Sequence, residues 1–258
     1  MLKVLFTGCK GGIGLQAAEK LLKAGHFVYV TVHEEESVPE VKMKLVEFAD
    51  NCHIEKLDIT KSEDRDKIKE WDLDVLVNNA AIGDSGPLAE IDVERIRKCL
   101  ETNVIATIEV TQIALQRMIK NKKGRIVIMG SMAGLLPTPF LAPYAMTKFT
   151  LESVAFSLRT ELKPFSIPVV IVNPGSYNTG FNEKNINRKY DWMKPDGYYK
   201  DHMSAIKKAE KQILGIEVRN TNAISDKVVK AVTAKHPKRR YKAPWWQWIF
   251  VPIGRRLM

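Results

Sequence analysis

Short apolar segments alternate with longer amphipathic segments from the third residue of the chain onward. Several apolar segments carry valine or isoleucine at successive positions, as strands covered by helices on both faces require. This alternation predicts a doubly wound parallel α/β sheet with right-handed crossovers and helices on both faces. The predicted strands occupy residues 3–7, 27–32, 53–59, 74–80, 125–131 and 168–175.

Three of the segments between these strands have apolar residues at helical spacing. The helix predicted over residues 12–25 closes on Gly25, which suits the C-terminal cap of a helix. Longer helices are predicted over residues 93–124 and 144–165. Since no internal repeat, low-complexity tract or linker divides the chain, we expect a single domain over residues 1–258.

Two C-terminal regions depart from this alternation. Residues 176–222 are rich in asparagine, lysine and aromatic residues with weak periodicity, which is typical of a substrate-binding lid or of disorder. The tail, residues 236–258, combines three tryptophans with several arginines, a composition that suits a membrane interface. Alternatively, residues 239–243 could form the last strand, with the tryptophans covering a pocket or a dimer contact.

The composition narrows the range of partners. The chain has 258 residues, 45% of them hydrophobic, and a net charge of +10 with a pI of about 9.4. This charge suits an anionic partner, namely nucleic acid, acidic lipid or a phosphorylated cofactor, or else a solvated basic surface. No nucleic-acid motif supports the first of these, so we expect no nucleic-acid partner.

The expected location rests on the apolar pattern and the cysteines. No run of 18 apolar residues predicts a transmembrane helix, and the first strand leads directly into a glycine turn, which leaves no room for a leader peptide. Cys9, Cys52 and Cys99 lie far apart without metal or disulfide spacing and indicate reduced thiols. We expect a cytoplasmic protein without a bound metal, or one held peripherally at a membrane by its tail.

The residues TGCKGGIG (7–14) join the first strand to the first helix. Gly8, Gly12 and Gly14 would allow a tight turn whose backbone approaches a pyrophosphate, with the helix N-terminus facing the anion. The alternative is an ordinary glycine-rich turn. The position between the first strand and the first helix favours phosphate binding.

Tyr144 and Lys148 stand four residues apart in the sequence YAMTK, so a helix would place both on one face. The pattern Tyr-x-x-x-Lys alone is too common to indicate a function. Two further features support a function for this pattern. They are Ser131, thirteen residues before Tyr144, and the glycine turn after the first strand of the same sheet.

Together these motifs resemble those of the short-chain dehydrogenase/reductase family. The glycine turn resembles the family's T-G-x-x-x-G-x-G motif, and NNAA (78–81) resembles N-N-A-G, with Ala81 in place of the last glycine. YAMTK matches Y-x-x-x-K, and NPGSYNT (173–179) matches P-G-x-x-x-T. Over residues 3–180 the resemblance implies a Rossmann-type sheet of about seven strands and an oxidoreductase that interconverts alcohols and ketones.

The resemblance implies four catalytic residues, which are Asn103, Ser131, Tyr144 and Lys148. Hydride transfer to a ketone leaves negative charge on its oxygen, and Tyr144 can protonate that oxygen if Lys148 favours the phenolate. The Ser131 hydroxyl can donate to the same oxygen. In the family pattern Lys148 also holds the nicotinamide ribose, and Asn103 orders a water in a proton relay to Lys148.

The resemblance also implies a nicotinamide dinucleotide site. Besides Tyr144 and Lys148, its residues are Gly8, Lys10, Gly12, Ile13, Gly14, His33, Asp58, Ile59, Asn79, Ala80, Pro174, Gly175, Tyr177 and Thr179. The acid expected for NAD at the end of the second strand is replaced by Val32, and the next position, often arginine in NADP enzymes, is His33. Lys10 is a basic residue inside the glycine turn, within reach of a phosphate there. We therefore expect NADP(H), with NAD(H) as the alternative because a small shift would bring one of Glu34–Glu36 to the ribose.

Apolar side chains predominate around the predicted position of Tyr144, which suits a hydrophobic alcohol or ketone. The predicted substrate contacts are Met132, Leu136, Phe140, Tyr177, Phe181 and Trp192, with Leu135, Met193, Tyr198 and Tyr199 in the same regions. Alternatively, these aromatic residues only pack the lid. Residues 149–162 and 238–244 are similar to the hydroxysteroid and retinol dehydrogenase branch, so steroid-, retinoid- and lipid-like substrates all stay open.

A different class of function is a non-catalytic nucleotide sensor or scaffold on the same fold. Intact Ser131, Tyr144 and Lys148 argue against it, because binding alone would not need all three. The resemblance further suggests a homodimer or homotetramer formed through the helices that begin near Glu101 and Tyr144.

Overall fold

Seven parallel strands form the centre of the molecule. The computed structural model describes residues 1–136 and 138–256, without the side chains of residues 253–255. The strands are β1 (Lys3–Phe6), β2 (Phe27–Val32), β3 (Cys52–Lys56), β4 (Val75–Asn78), β5 (Arg125–Met129), β6 (Val169–Pro174) and β7 (Arg240–Ala243). They pair in the order β3–β2–β1–β4–β5–β6–β7, which confirms the predicted doubly wound fold of about seven strands.

The order of the strands reverses at β1, which pairs with β2 on one side and with β4 on the other. Leu5 of β1 lies opposite Tyr29 of β2 and Leu76 of β4. In open parallel sheets, the ligand crevice lies beyond the carboxyl ends of the strands at such a reversal. The glycine turn after β1 and Asn79 after β4 therefore flank the position where a ligand is expected.

Helices cover both faces of the sheet. They are α1 (Gly12–Lys23), α2 (Val38–Lys44), α3 (Ser62–Asp66), α4 (Val93–Leu100), α5 (Ala106–Asn121), α6 (Ala142–Glu161), α7 (Phe181–Asn187), α8 (Met203–Gly215), α9 (Asn222–Thr233) and α10 (Phe250–Arg256). A π-helical turn over Glu101–Ile105 joins α4 to α5, so the helix predicted over residues 93–124 exists but widens at this turn.

Successive residues of β1 face opposite sides of the sheet, and both sides are buried. Val4 and Phe6 pack into the cluster that includes residues of α1, α2 and α9, whereas Leu5 packs into the cluster formed with α5 and α6. None of the three has exposed surface. A strand buried on both faces has no polar alternation, which explains the continuous apolar runs in the sequence.

The six predicted strands are all present, and residues 239–243, the alternative last strand, contain β7. Gly25 caps α1 as predicted, because its N–H donates to the Leu22 carbonyl at 2.9 Å and the His26 N–H donates to the Leu21 carbonyl at 3.1 Å. The sequence pattern did not predict α2, α3, α7, α8, α9 or α10. Helix α8 lies inside the segment of weak periodicity, and α9 begins at the end of that segment.

Residues 176–222, predicted as a lid, leave the sheet after β6 and hold α7 and α8. Tyr177 and Val218 form a parallel bridge that ties the two ends of this region together. The predicted tail contributes β7 and α10, and its residues 257 and 258 lie outside the described residues. None of the described helices is long and apolar enough to cross a membrane.

Candidate active site

The glycine turn after β1 has a backbone that only glycine adopts easily. Gly8 has φ of +71° and Gly12 has φ of +59°. A Cβ at Gly8 would lie 2.7 Å from the Ala80 Cα, and a Cβ at Gly12 would lie 3.3 Å from the Thr179 Cβ. The turn is therefore pressed against the ends of β4 and β6, which leaves its outer surface for a ligand.

Asn79 and Thr7 lock this turn to the end of β4. The Asn79 Nδ2 donates to the carbonyl oxygens of Thr7 and Gly8, both at 2.9 Å. In return, the Thr7 Oγ1 accepts from the backbone N–H groups of Asn79 at 3.0 Å and Ala80 at 3.1 Å. These contacts explain the second asparagine of the NNAA motif, and they add Thr7 to the site as a residue not singled out from the sequence.

The N-terminus of α1 is arranged to bind an anion. Gly11 occupies the N-cap position without a side chain to accept from the first backbone N–H groups. These groups, which belong to the turn that includes Gly12, Ile13 and Gly14, have no partner within the helix. With the positive end of the helix dipole they can bind a phosphate.

Two pairs of side chains lie beyond the ends of β2 and β3, each with a basic residue beside a carboxylate. The Lys10 Nζ lies 3.5 Å from the Glu34 Oε2, and the His33 Nδ1 lies 3.6 Å from the Asp58 Oδ1. Lys10, Glu34 and His33 are exposed, whereas Asp58 is largely buried. The structure therefore places both basic residues predicted to bind the phosphate here, each beside a carboxylate. Val32, at the position expected for an acid, is buried.

Asp58 and Ile59 were predicted at the end of the third strand, but β3 ends at Lys56 and both residues follow it. Their side chains are held differently. The Asp58 Oδ1 accepts from the Thr60 N–H at 2.9 Å and from the Thr60 hydroxyl at 2.7 Å. The Ile59 side chain packs in the core, and its carbonyl accepts from the Arg65 Nη1 at 2.8 Å. A contact from Ile59 to a cofactor would therefore fall to its backbone N–H.

Ser131 lies two residues after β5, and Tyr144 lies in the first turn of α6. Burial raises the pKa of Tyr144 to about 12, while a hydrogen bond with the Ser131 hydroxyl acts in the opposite direction. The Ser131 Oγ also accepts from the Ala133 N–H at 3.1 Å. The structure thus brings together the two hydroxyls that the sequence placed thirteen residues apart.

Lys148 lies one turn further along α6 and is buried, with 3% of its surface exposed. Its Nζ donates to the Met129 carbonyl at 2.8 Å and lies 5.6 Å from the centroid of the Tyr144 ring. Burial lowers the pKa of Lys148 to about 8. The rise in the pKa of Tyr144 differs from the sequence-based expectation of a favoured phenolate, because loss of hydration outweighs the hydrogen bond with Ser131.

Asn103 sits in the π-helical turn and clamps the backbone of Ile82. Its Nδ2 donates to the Ile82 carbonyl at 2.7 Å and its Oδ1 accepts from the Ile82 N–H at 2.8 Å. The same Nδ2 donates to the Thr147 Oγ1 at 3.0 Å, and that hydroxyl donates to the Tyr144 carbonyl at 2.7 Å. Asn103 therefore positions α6 through Thr147, and its part in a proton relay stays a prediction.

Asn173 supports Ser131 from β6, a role that the sequence analysis missed. Its Nδ2 donates to the Ser131 carbonyl at 3.1 Å and to the Glu152 Oε1 at 2.7 Å. Arg240 of β7 donates to both Glu152 and Asn173, which closes a charged network behind the serine. These contacts join residues distant in sequence, so only the asparagine preceding Pro174 gave a sign of them.

The loop after β6 brings Thr179 to the glycine turn but turns Tyr177 inward. Pro174 ends β6, and the Gly175 N–H donates to the Ala243 carbonyl at 2.8 Å. Tyr177 is 3% exposed and packs in the core cluster of α1 and α9. Its predicted contacts with cofactor and substrate are therefore corrected to a core position, where burial raises its pKa to about 12.

The predicted substrate residues divide into two groups. The Phe181 ring lies 5.5 Å from the Tyr144 ring, and Met132 begins the short helix that follows Ser131. The Phe140 ring instead meets Tyr199 at 6.1 Å.

Trp192 packs against Gly86, where an added Cβ would collide with the indole. Its Nε1 is buried without a hydrogen-bond partner in the described part of the chain. Leu136 is partly exposed and donates its N–H to the Met132 carbonyl at 3.0 Å. In the described part of the chain, Phe181 is the one predicted substrate residue whose ring contacts the Tyr144 ring. Trp192 instead packs the lid against the loop at Gly86.

Residues 3–190 match the model of a protein family described as short chain dehydrogenase. The chain is 28% identical over 241 residues to the 3-ketodihydrosphingosine reductase of Bacteroides thetaiotaomicron, and the match covers 93% of this chain and 86% of that protein. It is 28% identical over 249 residues to the human 17-beta-hydroxysteroid dehydrogenase type 1, covering 92% of this chain and 76% of the relative.

A solved structure described as ElxO with NADP bound has the same fold. It superposes with a TM-score of 0.75 and 25% identity, over 94% of this chain and 97% of that chain. The likeness covers the sheet, the glycine turn and the region after β6, since almost the whole of each chain is aligned.

Proposed function

The chain belongs to the short-chain dehydrogenase family of nicotinamide-dependent oxidoreductases, and we propose that it interconverts a secondary alcohol and a ketone or aldehyde on a hydrophobic substrate. The observation that carries this proposal is the meeting of Ser131, Tyr144 and Lys148 at the carboxyl edge of the sheet. The glycine turn after β1 opens at the same edge, at the reversal of strand order.

In the proposed reaction, the nicotinamide cofactor supplies the hydride for reduction or accepts it in oxidation. Reduction forms a carbon–hydrogen bond at the carbonyl carbon, and the oxygen takes its proton from the Tyr144 hydroxyl. The Ser131 hydroxyl donates a hydrogen bond to that oxygen as negative charge develops. Oxidation runs the same transfers backwards, with Tyr144 accepting the proton.

The protonation state of Tyr144 suits the direction of reduction. With a pKa of about 12, its hydroxyl is protonated near neutral pH and ready to donate. Lys148 then stabilises the phenolate that remains after the transfer, because its ammonium lies 5.6 Å from the ring centroid. The proton returns to Tyr144 before the next turnover.

The aromatic surroundings of Tyr144 support a hydrophobic substrate. Phe181 meets the Tyr144 ring from α7, and Phe140 and Tyr199 form a second aromatic pair. The two curated relatives are named for a ketodihydrosphingosine and a hydroxysteroid, both of which are large apolar molecules. We therefore propose a steroid-, retinoid- or lipid-like alcohol or ketone.

We propose NADP(H) as the preferred cofactor, with NAD(H) as the alternative. Lys10 and His33 stand where the 2′-phosphate is expected, and Val32 removes the acid that would bind the ribose of NAD. Glu34 lies beside Lys10 and opposes this preference by its charge. The preference therefore depends on which of these side chains turns towards the ribose.

We also propose a homodimer or homotetramer through the helices that begin near Glu101 and Tyr144, in a cytoplasmic protein. Met146, Phe149 and Phe156 of α6 and the adjacent Ile105 are all exposed apolar side chains. Met146, Phe149 and Phe156 recur at helical spacing, as a helix face that packs on a second copy would require. Light scattering on Phe156→Glu would test this, since a charge in the interface would lower the molecular mass.

The proposed reaction is tested with a panel of hydrophobic ketones and secondary alcohols, assayed by cofactor absorbance. Tyr144→Phe removes the proton donor, and we expect turnover to fall about 10²- to 10⁴-fold while cofactor affinity is kept. Tyr198→Phe is the matched control, because Tyr198 is 84% exposed on the lid. Full activity of Tyr144→Phe would disprove the mechanism, and cofactor binding without turnover on any substrate would favour the sensor hypothesis.

A further inference from the structure

The C-terminal segment 245–256 has one side anchored to the domain. It begins after β7 as a short 3₁₀ helix, Trp245–Ile249, and continues as α10. Gln247, Trp248 and Val251 are buried, with 1%, 5% and 7% of their surfaces exposed. These three residues attach the segment, here called the aromatic segment, to the rest of the molecule.

The other side of the aromatic segment is apolar and faces outward. Trp245, Trp246, Ile249 and Phe250 are exposed by 76%, 36%, 53% and 57% of their surfaces. All four side chains lie within six consecutive residues of this short helical stretch, so their exposed apolar surfaces are close together. Contiguous exposed apolar side chains of this size mark an interaction surface rather than ordinary solvent-facing positions.

The sequence around the aromatic segment is basic. Residues 227–258 contain nine lysines and arginines and no aspartate or glutamate. Lys238, Arg239, Lys242 and Arg256 are exposed, and the Lys242 Nζ lies 5.2 Å from the centroid of the Trp248 ring. The charge around the aromatic segment is therefore wholly positive along this length of chain.

We propose that the aromatic segment docks on the surface of a lipid bilayer that contains anionic lipid. Tryptophan and phenylalanine favour the boundary between headgroups and acyl chains, and flanking lysines and arginines are attracted to anionic headgroups. A second copy of the chain fits this surface less well. In a two-fold contact each positive face would meet the same positive face of its partner.

Docking in this way would turn the substrate-binding region towards the bilayer. The Gln247 Oε1 accepts from the Ser176 N–H at 2.7 Å, and its Nε2 donates to the Ile216 carbonyl at 2.8 Å. Since β5, β6 and β7 are parallel, the aromatic segment leaves the same edge of the sheet that carries Ser131. In this orientation an apolar substrate would enter the site from the bilayer. That step rests on the proposed function, whereas docking on the bilayer does not.

The test is flotation of the full chain with phosphatidylcholine vesicles, with and without roughly one third phosphatidylglycerol. We expect binding to the anionic vesicles that weakens as salt is raised. The triple variant Trp245→Ser/Ile249→Ser/Phe250→Ser should lose at least tenfold in the vesicle partition constant. A matched control, Met43→Ser/Val46→Ser/Leu88→Ser, removes exposed apolar side chains elsewhere and should bind as the unmodified chain does.

Three outcomes would overturn the proposal. They are negligible vesicle binding by the unmodified chain, equal binding by the two triple variants, and a fall in molecular mass of the Trp245 triple variant without any vesicle binding. The single variant Trp245→Ser should fold normally, because this side chain is mostly exposed. The variant should still bind vesicles more weakly than the unmodified chain. None of these measurements requires activity, so they are independent of the reaction proposed for Tyr144.

Discussion

The Lys148 ammonium lies 5.6 Å from the centroid of the Tyr144 ring, and burial shifts the pKa values of the two groups in opposite directions. The pKa of Lys148 falls to about 8, and the pKa of Tyr144 rises to about 12. Burial disfavours the charged form of each group, so the neutral amine of Lys148 and the neutral phenol of Tyr144 are both stabilised relative to their charged forms. A neighbouring anion would therefore favour the ammonium of Lys148 and disfavour the phenolate of Tyr144.

The buried Lys148 makes stability depend on pH. Its folded-state pKa of about 8 lies below the ordinary value of 10.5, so the unfolded chain binds more protons between these values. Stability then rises with pH across this window, and the cost of burying the ammonium is fully present below pH 8. Relative to Lys148→Met, the chain should gain about 2 kcal/mol in free energy of unfolding between about pH 7 and about pH 9.5.

Chemical denaturation at the two pH values measures this difference. Lys42→Met is the matched control, because Lys42 is exposed on α2, and it should show the same pH dependence as the unmodified chain. If Lys148→Met and the unmodified chain responded to pH alike, the ammonium would be better hydrated than its position beside Met129 indicates.

Two neighbouring glycines of the turn should respond differently to alanine. Gly8→Ala places a Cβ 2.7 Å from the Ala80 Cα at a φ of +71°, so it should cost about 2 kcal/mol or more in stability. Gly11→Ala has an extended backbone, φ −173°, and no atom within 4 Å of the new Cβ, so its change should stay below about 1 kcal/mol. Thermal denaturation without cofactor compares them, and equal losses would contradict the close contact at Ala80.

The sequence predicted those parts of the site that follow directly from strand ends. The glycine turn, Asn79, Ser131 and Thr179 all lie just beyond strands, and parallel strands bring their carboxyl ends to one edge. A buried strand is also recognisable because both its faces are apolar.

The remaining features depend on contacts between distant residues or on the depth of burial. The direction of the Tyr144 pKa needs the hydration of its hydroxyl, and the inward turn of Tyr177 needs the position of α9. The bond from Gln247 to Ser176 spans 71 residues. No local pattern of residue types carries such information, which is why the sequence analysis missed it.

The pair Lys10 and Glu34 should tune the choice of cofactor. Their charged atoms lie 3.5 Å apart and both side chains are exposed, so each partly cancels the other. Glu34→Gln should raise the kcat/KM ratio of NADP(H) to NAD(H) by about fivefold, and Lys10→Gln should lower it by a similar factor, since an exposed charge contributes up to ~1 kcal/mol. Glu35→Gln is the neighbouring control and should leave the ratio within about twofold.

Initial rates at several cofactor concentrations give this ratio for each variant. A shift of the Glu34 and Lys10 variants in the same direction would contradict the charge argument, because the two changes alter the local charge oppositely.

Gln247 should fix the loop after β6 through its amide, and Gln247→Glu separates that role from packing. The carboxylate would still accept from the Ser176 N–H, but its other oxygen would face the carbonyls of Ile216 and Ser176, which now receive bonds at 2.8 and 3.4 Å. In this buried position the acid must stay protonated to fold well, so the folded-state pKa of residue 247 rises above its unfolded value. Stability of the variant should therefore fall as pH rises, by about 1–3 kcal/mol between about pH 5 and about pH 8.

Cofactor affinity should follow the same pH dependence, because Ser176 directly follows Gly175, and titration of the variant at both pH values measures it. Gln212→Glu, at an exposed position of α8, is the matched control and should show neither change. A loss of equal size at both pH values would mean that Gln247 acts by filling space, since only a protonated carboxyl can replace the amide donor. The pH-dependent loss instead identifies the N–H groups of Gln247 as the link between the aromatic segment and the substrate-binding region.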